Sequence, residues 1–296
     1  MDSLKPPTGL EDDGWFKVKR SGRGHRNRGA ASEATCTMYT QNAEDNDATV
    51  ASITKQFESN LATWKQSSCR KKYHRMLKEY QPDGHAWLIT KAICFATGSF
   101  SRINLTNRKR SLLQFAVFVD TSRHVAQLRD GGPLALFAQD PLYTDVDKAF
   151  LRSLDIHVLE AEIEIGNGLE PAINHFDPET MIFEFCMDTS RKAVRQFITS
   201  RAALFACTSF QGFLDPSRQL TVPSLDRSQS AVVGEETAQT MAAKHFCDEK
   251  EDAQRASKFK REYSMKWFPE FEEDNTVFHR MAIHFKNPVD DDEEGE

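Results

Sequence analysis

The chain has 296 residues, 39% of them hydrophobic, with 21 phenylalanines and a formal net charge of -6. That is enough apolar material for one sizeable core, yet no apolar run approaches the roughly 20 residues a spanning helix needs, and Met1-Asp2-Ser3-Leu4-Lys5 lacks the segments of a secretory signal. The expectation is a soluble, cytoplasmic protein with no membrane partner; its acidic balance argues against general nucleic-acid binding, and six scattered cysteines with no C-x-x-C pair read as reduced thiols.

Residues 1 to about 48 mix Gly, Ser, Asn and charge with few apolar side chains, which predicts a disordered arm unable to offset the entropy of ordering. Within it Trp15 to Arg28 carries Lys17, Lys19, Arg20, Arg23, Arg26 and Arg28 and no acid. Such a run fits a nuclear import signal, a weak contact to nucleic-acid phosphates, a partner for an acidic tail, or plain solvation. From Ala48 to Tyr80 apolar residues recur at helical spacing (Val50, Ile53, Phe57, Leu61, Trp64, then Tyr73, Met76, Leu77), predicting one or two amphipathic helices ended by Pro82-Asp83-Gly84.

A β-rich run over Ala86 to Ala96 comes next, then a helix from about Thr106 to Leu128. Strand and helix then alternate: strand Leu134 to Ala138, helix Asp145 to Leu154, strand Ile156 to Glu160, strand Met181 to Cys186, helix Thr189 to Thr199, strand Ala202 to Cys207. Nearly all-apolar strands separated by helices belong to a parallel sheet covered on both faces. The expected fold is therefore a three-layer, Rossmann-like α/β domain over residues 49 to 287. A polar surface insertion is expected near 214 to 236, a helix from about Thr237 to Lys258, and an edge strand within Thr276 to Phe285. The end of the chain, 288 to 296, reads as an acidic, solvated tail.

Two strand ends draw attention because doubly wound sheets bind ligands at the carboxyl ends of their strands. After the first strand, Thr97, Gly98, Ser99, Phe100 and Ser101 form a short loop in which glycine permits a tight turn and the following amides could face an anion. After the second, Asp140, Pro141 and Tyr143 stand where a nucleotide-binding fold puts the acid that holds a ribose hydroxyl. Against this, the loop has one glycine and no lysine, and the glycine-to-acid gap is about twice the usual 20 residues. Thr144-Asp145-Val146-Asp147 has the form of a capping box, which explains Thr144 and Asp147 without chemistry. No H-E-x-x-H, zinc-finger spacing or G-x-S-x-G elbow occurs, so no catalytic residue, metal ligand or cofactor is assigned.

The order Lys91 to Ser101, ending in Gly98-Ser99-Phe100, followed by Leu134 to Asp145, ending in Asp140-Pro141 and an acid-rich helix start, resembles the SRR-like family, named for Sensitivity to Red light Reduced. The Trp-led basic segment near the start adds to the resemblance, which covers roughly residues 50 to 210. In the family a Pro-His-Cys step follows a later strand; here Phe185, Cys186 and Met187 stand there, and Cys207-Thr208-Ser209-Phe210 replaces an Asn-Ser-Phe step. Relatives are tied to signalling and gene expression, including light and circadian responses and haem metabolism, so the resemblance implies a non-catalytic regulatory protein with protein partners. Two alternatives stay open: an enzyme or sensor with a pocket for a nucleotide or other anion, and a nucleic-acid-associated protein acting through its basic arm.

Overall fold

A computed structural model describes residues 47–82, 87–129, 132–160, 171–185, 191–208, 250–279 and 281–288, all within one compact unit, Gln41–Glu296. The basic segment, the insertion expected at 214 to 236, the first half of the helix expected at 237 to 258, and the tail from 289 lie outside the described residues.

The amphipathic stretch before the first strand is two helices. Helix α1 (Val50–Gln66) opens on a capping box in which Thr49 and Ser52 bond each other's backbone amides (3.2 and 3.0 Å). Ser67 ends α1 and caps α2 (Ser68–Glu79) by accepting from the Arg70 amide (3.0 Å). Helix α3 (Leu105–Gln127) follows β1 (Lys91–Phe95) and is buried on nearly every side from Ser111 to Ser122. A helix hydrophobic all round belongs in a core; here the sheet lies on one side of α3 and α1 and α2 on the other.

The remaining elements are β2 (Ala135–Gln139), α4 (Asp145–Ser153), β3 (His157–Val158), a 3-10 turn (Ala172–His175), β4 (Thr180–Glu184), α5 (Arg191–Ser200), β5 (Leu204–Thr208), helix α6 over 250–262, β6 (Tyr263–Trp267) and β7 (Met281–Lys286). The seven strands are ordered β3-β2-β1-β4-β5-β7-β6. The first five are parallel, with Ile93 of β1 level with Phe137 and Ile182 on its two neighbours. The chain therefore winds outward one way from β1 to β3 and the other way from β4 to β5, so the order reverses between β1 and β4. Alternation of side chains gives the sheet two apolar faces. Ala92, Cys94, Phe183 and Leu204 face α1 to α4. Ile93, Phe95, Ile182 and Phe205 face α5 and α6 through Val194, Phe197 and Phe259.

Three expectations are corrected. The strand expected within Thr276 to Phe285 begins only at Met281, and it is not an edge: β7 runs antiparallel between β5 and β6. The edge is β6, whose sequence Tyr-Ser-Met-Lys-Trp carries no apolar run to announce it. The helix expected to stop at Lys258 continues to residue 262. Leu136 is only partly buried, because β3 is two residues long and leaves the middle of β2 near the rim. His279 sits in a turn before β7, and His284 within β7 is buried.

Candidate functional site

Strands β1 and β2 bring Thr97 to Ser101 and Asp140 to Tyr143 to one edge of the sheet. The turn out of β1 needs two left-handed residues, Ala96 (φ 55°) and Gly98 (φ 69°). A Cβ on Gly98 would lie 1.6 Å from the Arg102 guanidinium, which folds back over the turn and donates to the Ser99 carbonyl (2.8 Å). The left-handed backbone favours glycine here, and a Cβ would in addition displace the head of the flexible Arg102 side chain.

Two backbone donors of the turn, the Gly98 and Phe100 amides, are bonded within the protein. The Gly98 amide donates to Asp140 Oδ2 (2.6 Å), and Asp140 Oδ1 accepts from the Leu142 amide (2.9 Å). The Phe100 amide donates to Asp147 Oδ1 (3.1 Å), while Asp147 Oδ2 accepts from the Thr144 amide (3.0 Å). Asp147 thus completes the expected capping box with Thr144 and also ties the first loop to α4. The hydroxyls of Ser99, Ser101 and Thr144 form a chain (3.1 and 2.9 Å), and the Thr97 hydroxyl meets the Tyr143 hydroxyl at 2.8 Å.

Thr97, Ser99, Ser101, Asp140 and Tyr143 are all buried, and Pro141 is exposed. The Phe100 ring lies in the core beside Phe115, Tyr143 and Phe150. Asp140, placed by the sequence where an exposed strand-end acid would stand, is only 8% exposed. Its burial raises its pKa above the usual carboxylate value, and the amide bonds from Leu142 and Gly98, with the Arg102 charge, offset this only in part. Burial pushes the Tyr143 hydroxyl and the Cys94 thiol up as well. Among the described residues no group of three His, Cys, Asp or Glu is placed to hold a metal. Phe185 is buried at the end of β4, whereas Cys186, Met187 and the Ser209-Phe210 pair lie outside the described residues.

A second buried polar cluster, announced by no motif, joins the helical layers. Asp120 of α3 accepts from Trp64 Nε1 (2.9 Å) of α1 and from Arg70 Nε (2.7 Å) and Nη2 (3.2 Å) of α2. His74 Nε2 stands 3.0 Å from the same carboxylate, and its ring stacks on His124 at 3.8 Å. Burial alone would raise the Asp120 pKa; the His74, Arg70 and Trp64 partners overcome it and hold the group well below the usual range.

An open α/β sheet of order 3-2-1-4-5 with a reversal between β1 and β4 defines the Rossmann-like class. Within that class the chain belongs to the SRR1 domain family, whose model matches residues 53–285. The match runs well past residue 210, where the resemblance read from the sequence fades, and takes in β6 and most of β7. No curated protein and no solved structure matches the chain.

Proposed function

We propose that this chain is a non-catalytic regulatory member of the SRR1 domain family that works by binding other proteins. The observation that carries this reading is the closed strand-end turn: the Gly98 and Phe100 amides, which an anionic ligand would need, are already bonded to Asp140 and Asp147. A phosphate brought to those two amides would meet the carboxylates that already hold them. Exposed Ile103, Leu105 and Leu142 at the same edge of the sheet suit contact with a protein better than with a charged small molecule. The basic segment Lys17 to Arg28 supports nuclear entry and, through phosphate attraction, weak association with nucleic acid.

The reversal of strand order between β1 and β4 favours a second reading, a small-molecule sensor with its ligand in that crevice. Thermal unfolding with a panel of nucleotides and other anionic metabolites separates the two. A ligand at 100 times its dissociation constant adds about 2.7 kcal/mol of stability. The regulatory reading expects no ligand-dependent shift. A shift that the Asp140→Ala protein loses while staying folded would replace it with the sensor reading.

A further inference from the structure

Helix α2 is apolar on its inner side and basic on its outer side. Cys69, Tyr73 and Leu77 recur every four residues towards the core, where Tyr73 packs on Phe268 at 4.6 Å. Lys71, Arg75 and Lys78 stand on the opposite side in one row with Lys72 beside them, and all four are exposed. Arg70 and His74 turn inward to Asp120 and are not part of this row. In a chain of net charge -6 the row is a concentrated positive surface.

Little in the described fold neutralises it. Among the described residues the row makes one ion pair, Arg75 with Glu79 at 3.6 Å, and both partners are exposed, where such pairs hold weakly. Glu272, which accepts from the Ser68 amide (3.1 Å), marks where the basic surface stops at the start of α2. At the other end Lys266 lies over the Tyr80 ring (5.4 Å) and extends it.

The chain leaves its last strand at that same end. The Phe285 ring stacks at 4.4 Å on Tyr80, the residue that closes α2. The Lys286 amide donates to the Ala203 carbonyl (3.1 Å) and the Asn287 amide to the Glu262 carbonyl (2.8 Å), and the next residue, Pro288, is exposed. Three residues span at most about 11 Å, so Pro288 stands close to the last turn of α2. Beyond it the sequence reads Val289-Asp290-Asp291-Asp292-Glu293-Glu294-Gly295-Glu296, six acids and no base.

We propose that this acidic tail, residues 290–296, docks along the outer face of α2, running from Lys78 towards Lys71. Its reach suffices: seven extended residues span roughly 23 Å, more than the ~18 Å of a 12-residue helix. The order of residues suits the direction. Uncharged Asn287, Pro288 and Val289 pass the negative end of the helix dipole, and the acids then lie towards its positive end. Exposed pairs are weak singly, but a tethered tail is held beside this face at a high effective concentration. Lys258, Lys260 and Arg261 of α6 are a competing surface, yet Glu262 stands among them and pairs with Lys258 at 3.7 Å.

Acetylation of the full chain in low salt, read lysine by lysine by mass spectrometry, tests this. The comparison is the full chain with Asp290→Asn, Asp291→Asn, Asp292→Asn, Glu293→Gln and Glu294→Gln. Lys71, Lys72 and Lys78 should react at least ~3-fold more slowly in the parent, the factor that two or three exposed pairs supply. Salt at about 1 M should abolish the difference, because screening then acts within ~3 Å. Exposed Lys55 of α1 and Lys109 of α3 should react alike in both chains. Carbodiimide, which couples a carboxylate to an amine it touches, should join 290–296 to Lys71, Lys72 or Lys78 within one chain. If the neutralised chain does not fold, coupling in the parent decides. Equal acetylation rates, a difference unmoved by salt, couplings only between two chains, or couplings only to Lys17, Lys19, Lys258 or Lys260 would each overturn the proposal.

Discussion

Two buried carboxylates, Asp120 in the helical cover and Asp140 at the strand ends, are almost equally hidden from water and are pushed in opposite directions. Asp120 is met by the Arg70 guanidinium, the Trp64 indole and His74, and its charged form is held firmly. Asp140 is met at short range by two backbone amides, and burial wins, so its pKa is raised. Burial therefore does not decide what an acid does in this fold; the charge of its partners does. The first acts as an ionic clamp between three helices, the second as an acceptor that shapes a loop.

The clamp should break hardest. Asp120→Ala leaves Arg70 and the Trp64 N–H without their acceptor inside the helical layers, and we expect about 3 kcal/mol of lost stability in urea unfolding, the low side of the usual range because Arg70 retains some water contact. A loss under ~1 kcal/mol would mean the cluster does not fasten α1 and α2 to α3. Because the folded pKa of Asp120 lies below the unfolded one, its contribution is complete above the ordinary carboxylate value of about 3.9 and fades as pH falls below it. Asp140 has the opposite sign: with its folded pKa raised, stability is lost as pH rises from about 3.9 through the folded value.

A histidine extends the comparison to a third setting. Burial lowers His284 from 6.5 to about 4. Its neutral form is thus fully favourable above pH ~6.5, and stability declines as pH falls to about 4, because the unfolded chain takes up the proton first. The shift corresponds to roughly 3 kcal/mol across that window. Unfolding free energies of the parent and of His284→Leu at pH 7 and pH 4.5 check this: the leucine protein should lose less on acidification, and parallel losses would remove His284 from the account.

Much of the parallel half of the molecule was legible because its strands are continuous apolar runs between helices. Ile93, Phe95, Phe183 and Phe205 announce buried strands without any need for tertiary information. Thr144 and Asp147 likewise carry the capping box in their spacing. What the sequence could not display was the second bond of Asp147, to the Phe100 amide 47 positions away, or the fold-back of Arg102 over Gly98. Asp120 was hidden for the same reason, since its partners come from α1 and α2. The antiparallel ribbon was missed at β6 because an edge strand that buries only Tyr263 fully has no apolar periodicity to read.

The strand-end brace should cost less than the clamp, since Asp140 serves neutral donors. Asp140→Ala leaves the Gly98 and Leu142 amides unpaired, and we expect a loss of about 1 to 3 kcal/mol by thermal or urea unfolding. No loss would mean that water replaces the carboxylate and that the turn is not held by it.

The smallest effects lie in the turn itself and have opposite signs two residues apart. Gly98→Ala forces a Cβ into the left-handed region and displaces the Arg102 head, which should cost at least the ~1 to 2 kcal/mol of that conformation. Ala96 already bears that strain at φ 55°. Ala96→Gly relieves it, but the glycine also frees the unfolded chain by roughly 0.4 to 1 kcal/mol, so the net change should be under ~1 kcal/mol and stabilising. Urea midpoints at constant slope measure both. If Ala96→Gly were as destabilising as Gly98→Ala, the contacts of the Ala96 methyl with the α5–α6 face of the sheet would outweigh its backbone strain, and the turn would be held by packing instead of by the Asp140 brace.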